Sequence, residues 1–120
     1  MHTRIHTQGF DPTPPIVARV ERQIARNLRR FEGEVLGIDV YLSGGHGPRG
    51  GAEMKAVMRA SLRGLPPVSV SAVHSDLYVA ISRSSKRLQR AARRTITRSR
   101  RAAPRRVLGL RRLVLDPALN

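Results

Sequence analysis

The sequence predicts an α+β fold: a four-stranded antiparallel or mixed sheet with two helices on one face, in the order β-α-β-β-β-α. Three observations point there. Apolar residues recur at helical spacing over residues 17–31, at spacing of two over 35–72, and at helical spacing again over 77–96. Proline and glycine clusters punctuate each change of period. The strand segments alternate apolar with polar residues, as a sheet buried on one face does. With 120 residues, 40% of them hydrophobic, the chain is one domain's worth with a modest core.

Met1 to Thr7 alternates loosely and predicts a short strand. The stretch Gly9-Phe10-Asp11-Pro12-Thr13-Pro14-Pro15 turns into a helix, with Asp11 or Thr13 as cap and proline at the first helical position. Val17, Val20, Ile24, Leu28 and Phe31 form its apolar face, and Gly33 is expected to stop it. From Val35 the period is two, with Ile38, Val40 and Leu42 on one side and Asp39 and Tyr41 on the other. Residues 44–51, mostly glycine, predict a flexible hairpin loop. Met54, Ala56, Met58, Ala60 and Leu62 then alternate with a polar, basic face. Gly64-Leu65-Pro66-Pro67 turns the chain into a strand carrying Val68, Val70 and Ala72. Ser75 or Asp76 caps the last helix. Its apolar positions are Leu77, Ile81, Leu88, Ala92 and Ile96, with Ser84 at the missing turn. That helix is expected to fray between Arg98 and Pro104. These elements place a domain in residues 1–102 and a basic C-terminal tail in 103–120, expected either to dock as a strand or to be disordered.

Several classes of function fall away. No apolar run approaches the roughly 18 residues of a membrane helix, and the N-terminus has no signal-peptide core. The absence of cysteine excludes a disulfide framework, a thiolate metal site and a thiol nucleophile, and suits a reducing, cytoplasmic setting. With no tryptophan, two tyrosines and two phenylalanines, a surface stacking several bases is not expected. His2 and His6 lie four apart on a strand rather than a helix, and His46 and His74 have no ligand set around them. The acids are dispersed, so no carboxylate pair forms. The glycine loop has no Gly-Lys-Ser or Gly-Lys-Thr and joins two strands. The expectation is a non-enzyme with no catalytic residues, no metal, no cofactor and no small-molecule substrate.

What remains is charge. There are 23 basic and 8 acidic residues, a net +15, and the sequence pI is near 12.0. Between Asp76 and Asp116 no acid occurs. The last helix carries Arg83, Lys86, Arg87, Arg90, Arg93, Arg94 and Arg98. A solvated charged face needs both signs, because like charges at i,i+4 repel. Here Arg83/Arg87, Lys86/Arg90, Arg90/Arg94 and Arg94/Arg98 are all like pairs, and a bound polyanion reverses the sign of that term. The first helix adds Arg19, Arg22, Arg26, Arg29 and Arg30, and the outer strand face adds Lys55, Arg59 and Arg63. Together these are the candidate RNA-binding residues. Spread around a small body, they suit a cleft between RNA helices better than one groove of DNA.

From Ser75 to Arg90 the chain resembles the second helix of the ribosome hibernation-promoting factor and ribosome-associated translation inhibitor family, in its short form. That helix opens Asp-x-Tyr-x-Ala-Ile and continues to Lys-Leu-x-Arg. Asp76, Tyr78, Ala80 and Ile81 match, followed by Arg87, Leu88 and Arg90. Val40-Tyr41-Leu42-Ser43, the glycine loop and Gly64-Leu65-Pro66-Pro67 resemble its hairpins, and the likeness covers roughly residues 1–100. It implies a fold like a double-stranded-RNA-binding domain. It implies binding to ribosomal RNA of the small subunit in the tRNA and mRNA channel, and a block of translation by occupancy. The RNA-contacting role of the second helix carries over to Arg87 and Arg90 by motif match. Ser82 and Lys86 stand where many members have aspartate, so this helix is more basic than usual. Longer members have a second, dimerising domain; about twenty residues follow the helix here, so dimerisation by that domain is not expected. Two other readings stand beside this one: a general double-stranded nucleic-acid-binding module, and a protein-interaction regulator with an acidic partner.

Overall fold

The computed structural model describes the backbone of residues 1–46 and 52–114 and the side chains of 1–44 and 53–100. The elements are β1 (His2–Gln8), α1 (Pro14–Leu28), a 3-10 turn (Arg29–Phe31), β2 (Val35–His46), β3 (Ala52–Leu62), β4 (Val68–His74) and α2 (Leu77–Val114). They form one mixed sheet in the order β1-β2-β3-β4, with β1 parallel to β2 and the other neighbours antiparallel. A parallel pair cannot be joined by a tight turn, and α1 is the crossover that joins it. The expected β-α-β-β-β-α order and mixed sheet are therefore present. No helix among the described residues is long and apolar enough to cross a membrane.

The core lies between the helices and one sheet face. Ile38, Val40 and Leu42 of β2 and Ala56, Met58, Ala60 and Leu62 of β3 pack with Val20, Ile24 and Leu28 of α1 and Ile81, Leu88, Ala92 and Ile96 of α2. The alternating strand residues, such as Lys55, Arg59, Ser69 and Ser71, face solvent.

Several boundaries differ from expectation, each for a local reason. On α1 the buried residue of the first turn is Ile16, with Val17 only half-buried. Ile16 continues the i,i+4 row of Val20, Ile24 and Leu28, and packing of α1 against α2 widens the buried stripe to take in Gln23. The helix stops at Leu28 rather than Gly33, and the tighter 3-10 turn swings Phe31 into the core. Val35 is buried although its parity opposes that of Ile38, because a bulge at Val35/Gly37 leaves Leu36 as an extra residue, 48% exposed. Thr13 is the N-cap of α1 but makes no side-chain capping bond. Asp76, not Ser75, caps α2: its Oδ1 accepts the Tyr78 N–H at 2.9 Å, and the Asp76 N–H donates to His74 Nδ1 at 2.9 Å. Gly44, Gly45 and His46 belong to β2 rather than to a loop; the rest of the expected loop, 47–51, lies outside the described residues. α2 continues past Pro104 to Val114, where fraying and then a docked strand or disorder were expected. A mid-helix proline costs about 3 kcal/mol, but residues 99–114 are rich in arginine, alanine and leucine, strong helix formers. Residues 115–120 lie outside the described residues.

Gly9 closes β1 onto β2. Its φ is +92°, and a Cβ there would sit 2.9 Å from the Gly44 carbonyl oxygen. Gly64 has φ +69° with open space around it. Gly9→Ala is expected to cost more than Gly64→Ala, because it adds a backbone clash to the cost of left-handed geometry, itself about 1–2 kcal/mol. Thermal melting of the two variants side by side checks the order.

Candidate nucleic-acid interface

α2 presents its charge on the side away from the core. Ala80, Ile81, Ser84, Ser85, Leu88, Ala92 and Ile96 are buried, whereas Arg83, Lys86, Arg87, Arg90, Arg93, Arg94 and Arg98 are all exposed. Arg90, Arg93, Arg94, Thr97 and Arg98 surround an open depression of 480 Å³. Among the described residues no carboxylate pairs with these cations. Among the described residues Arg87 alone of the group is tied to the protein: its Nη1 donates to the Ser71 carbonyl at 2.5 Å, on the edge strand β4. The acids that do form ion pairs are elsewhere. Asp39 pairs with Arg4, and Glu34 with Arg100 near the far end of the sheet.

The α1 arginines divide into two kinds. Arg22, Arg26, Arg29 and Arg30 are exposed. Arg19 is half-buried against α2: its guanidinium lies 5.6 Å from the Tyr78 ring centroid, and its Nη2 is 3.4 Å from Ser82 Oγ. Its Nε is buried with no hydrogen-bond partner. Arg19 therefore joins the helices as well as adding charge.

Beside it runs a polar seam that the sequence did not announce. Asn27 Nδ2 lies 2.9 Å from both Ser85 Oγ and the Gln23 carbonyl, and Ser85 Oγ donates to the Ser82 carbonyl at 2.8 Å. Gln23, Ser84 and Ser85 are buried. Two signals could have found the seam. Gln23 directly precedes Ile24 in the apolar stripe, and Ser84-Ser85 interrupts the apolar face of α2 at its middle.

Lys55 and Arg59 project from the solvent face of the sheet, opposite the helices. Arg63 sits past the end of β3, and its Nε donates to the Gly33 carbonyl at 3.3 Å. The candidate residues thus form one continuous field on the two helices and a separate, smaller one on the sheet. The sheet field is partly neutralised. Arg4 Nη2 donates to Asp39 Oδ2 at 3.3 Å and its Nε lies 2.9 Å from Oδ1, which is 3.4 Å from His6 Nε2, and the His6 ring stacks on Tyr41 with centroids 4.7 Å apart. The hydrogen bond from Arg4 holds the Asp39 carboxyl below its ordinary value of 3.8, with His6 contributing in the same direction. A depressed carboxyl contributes stability above its unfolded value, and that contribution is lost as pH falls through the folded one. The melting difference between wild type and Asp39→Asn is therefore expected to hold constant above about pH 5 and to shrink below it.

Residues 3–100 match the model of the sigma 54 modulation protein / S30EA ribosomal protein family. The chain belongs to this family. Its fold is similar to the crystal structure of the Thermus thermophilus Protein Y N-terminal domain, with a TM-score of 0.65 and 28% identity over 78% of this chain and 98% of that one. A ribosomal subunit interface protein from Coxiella burnetii shares the fold at a TM-score of 0.66 and 17% identity, over 78% of this chain and 96% of that one. No curated protein matches the chain in sequence. The family match takes in α1, β2, β3 and β4 whole, all of β1 but His2, α2 as far as residue 100, and every candidate cation.

Proposed function

We propose that this protein is a ribosome-associated hibernation factor of the cytoplasm. It binds small-subunit ribosomal RNA in the channel that tRNA and mRNA use, and it blocks translation by occupancy rather than by catalysis. The observation that carries this reading is the outward face of α2, where seven cations are exposed without a carboxylate among the described residues to neutralise them. Membership of a family described as ribosomal and modulatory supports RNA of the ribosome as the polyanion that meets this face. The binding unit is the body, residues 1–102, with 103–120 as a basic extension. Arg83, Arg90, Arg93, Arg94 and Arg98 contact phosphates, the exposed α1 arginines extend that field, and Lys55 and Arg59 form a second contact.

Co-sedimentation with purified small subunits across a salt series tests it. Six to ten phosphate contacts imply a loss of about 10³–10⁵ in affinity between 50 and 200 mM salt. Saturation near one copy per subunit, resistant to RNA duplex and displaced by initiator tRNA, is expected. Many copies per subunit, stripped equally by any duplex, would reduce the protein to a general polyanion binder.

A further inference from the structure

α1 and α2 do not close on each other completely. Between them lies a cleft of 440 Å³ lined by Gln23, Arg26, Asn27, Ser82 and Lys86. Every lining residue is polar. Two are cations, one from each helix, and neither is a carboxylate's partner: Arg26 and Lys86 are exposed, with no ion pair or side-chain hydrogen bond among the described residues. Two like charges converging on one cleft raise the energy of the free protein, and a single anion held between them lowers it.

The cleft is also built, rather than a chance gap between mobile side chains. Asn27 is anchored by its amide to Ser85 Oγ and to the Gln23 carbonyl, both at 2.9 Å. Ser82 is held by Arg19 Nη2 at 3.4 Å and, through its carbonyl, by Ser85 at 2.8 Å. The floor is thus fixed by hydrogen bonds across the helix seam, and only the two cations at the sides are free to move. An Arg fork and a Lys point charge on opposite walls match a phosphate, which offers oxygens in several directions. No apolar residue lines the cleft to take the side chains that an acidic peptide would bring with its carboxylates.

We infer that the cleft between α1 and α2 seats one backbone phosphate of the bound RNA, gripped by Arg26 from one helix and Lys86 from the other. This rests on the ribosomal reading above and adds a fixed point to it. The outward arginines of α2 each meet whatever phosphate lies near, whereas the cleft accepts one phosphate in one position and so sets the register of the protein on the RNA.

The salt dependence of binding separates these two modes, because its slope counts the phosphates engaged. The proteins to compare are wild type, Arg26→Gln, Lys86→Gln, the double variant of these, and Arg83→Gln/Arg90→Gln as an equal-charge control. All the altered residues are exposed and each change removes like-charge repulsion, so no variant should melt below wild type. If the two cations share one phosphate, each single change lowers small-subunit affinity about tenfold, and the double falls well short of the hundredfold product. The double variant then loses about one unit of slope, where the control pair loses about two. Additive losses and a two-unit change in slope for the cleft pair would overturn the inference and leave the ribosomal reading standing. So would release of wild type from subunits by polyglutamate but not by RNA. Wild type that fails to sediment with subunits at all would overturn both.

Discussion

Replacing Arg83 and Arg90 together by glutamate is expected to lower affinity for small ribosomal subunits by about a thousandfold, with the melting temperature held or raised. Both side chains are exposed at the centre of the α2 outer face, and neither has a partner among the described residues. A charge-assisted hydrogen bond contributes about 1.5–3 kcal/mol, so two lost contacts alone amount to roughly 10²–10⁴ in affinity. Each reversal also adds repulsion from the phosphate it used to meet. Stability moves the other way. A carboxylate at position 83 lies four residues before Arg87, and one at position 90 lies four before Arg94, the favourable orientation for a helical ion pair. Each position therefore changes from repulsion to attraction, by a few tenths of a kcal/mol. The motif-matched pair Arg87 and Arg90 is a less clean choice, because Arg87 also holds the Ser71 carbonyl at the sheet edge. Co-sedimentation and thermal melting on the same samples check both halves. Wild-type affinity in the variant would remove the α2 face from the interface.

The order of elements was legible because burial imposes periodicity, and periodicity survives without knowledge of tertiary contacts. The alternation through Ile38, Val40 and Leu42, and again through Ala56, Met58 and Ala60, matches the buried face residue for residue. Legibility failed where a single contact overrode the period. The Leu36 bulge reverses parity for one residue, a local choice that no alternation encodes. Ser85 and Gln23 are buried because each meets the other helix, Ser85 Oγ lying 3.4 Å from Gln23 Oε1. This is a pairing between residues some sixty positions apart, invisible to any window that slides along the chain. The cations were legible as a set because like charges at helical spacing need no tertiary information. Their division into free and tied was not. Arg19, Arg63 and Arg87 find Ser82, the Gly33 carbonyl and the Ser71 carbonyl only once the sheet has brought them close. The cleft was hidden for the same reason, since Arg26 and Lys86 become neighbours only through the seam.

Truncating Leu88 to alanine is expected to be among the most destabilising single changes in the chain, about 2–5 kcal/mol. Leu88 is fully buried, and its position on α2 is unusual. The buried residues of that helix between Ile81 and Ile96 are Ser84, Ser85, Leu88 and Ala92, so Leu88 is the one large apolar group over about 22 Å of helix. Removing Leu88 opens a cavity in the cluster that α2 shares with α1 and the sheet, and the surrounding structure relaxes only partly into it. For a domain of this size each kcal/mol is about 4–8 °C in melting temperature, so a fall of more than about 10 °C is expected. Below the new midpoint, affinity for small subunits should stay within severalfold of wild type, because every exposed cation keeps its place on the helix. This is the reverse of the arginine reversal, which weakens binding about a thousandfold without loss of stability. A loss below about 1 kcal/mol would mean that the seam to α1 and the Asp76 cap, rather than the apolar face, hold α2 on the sheet.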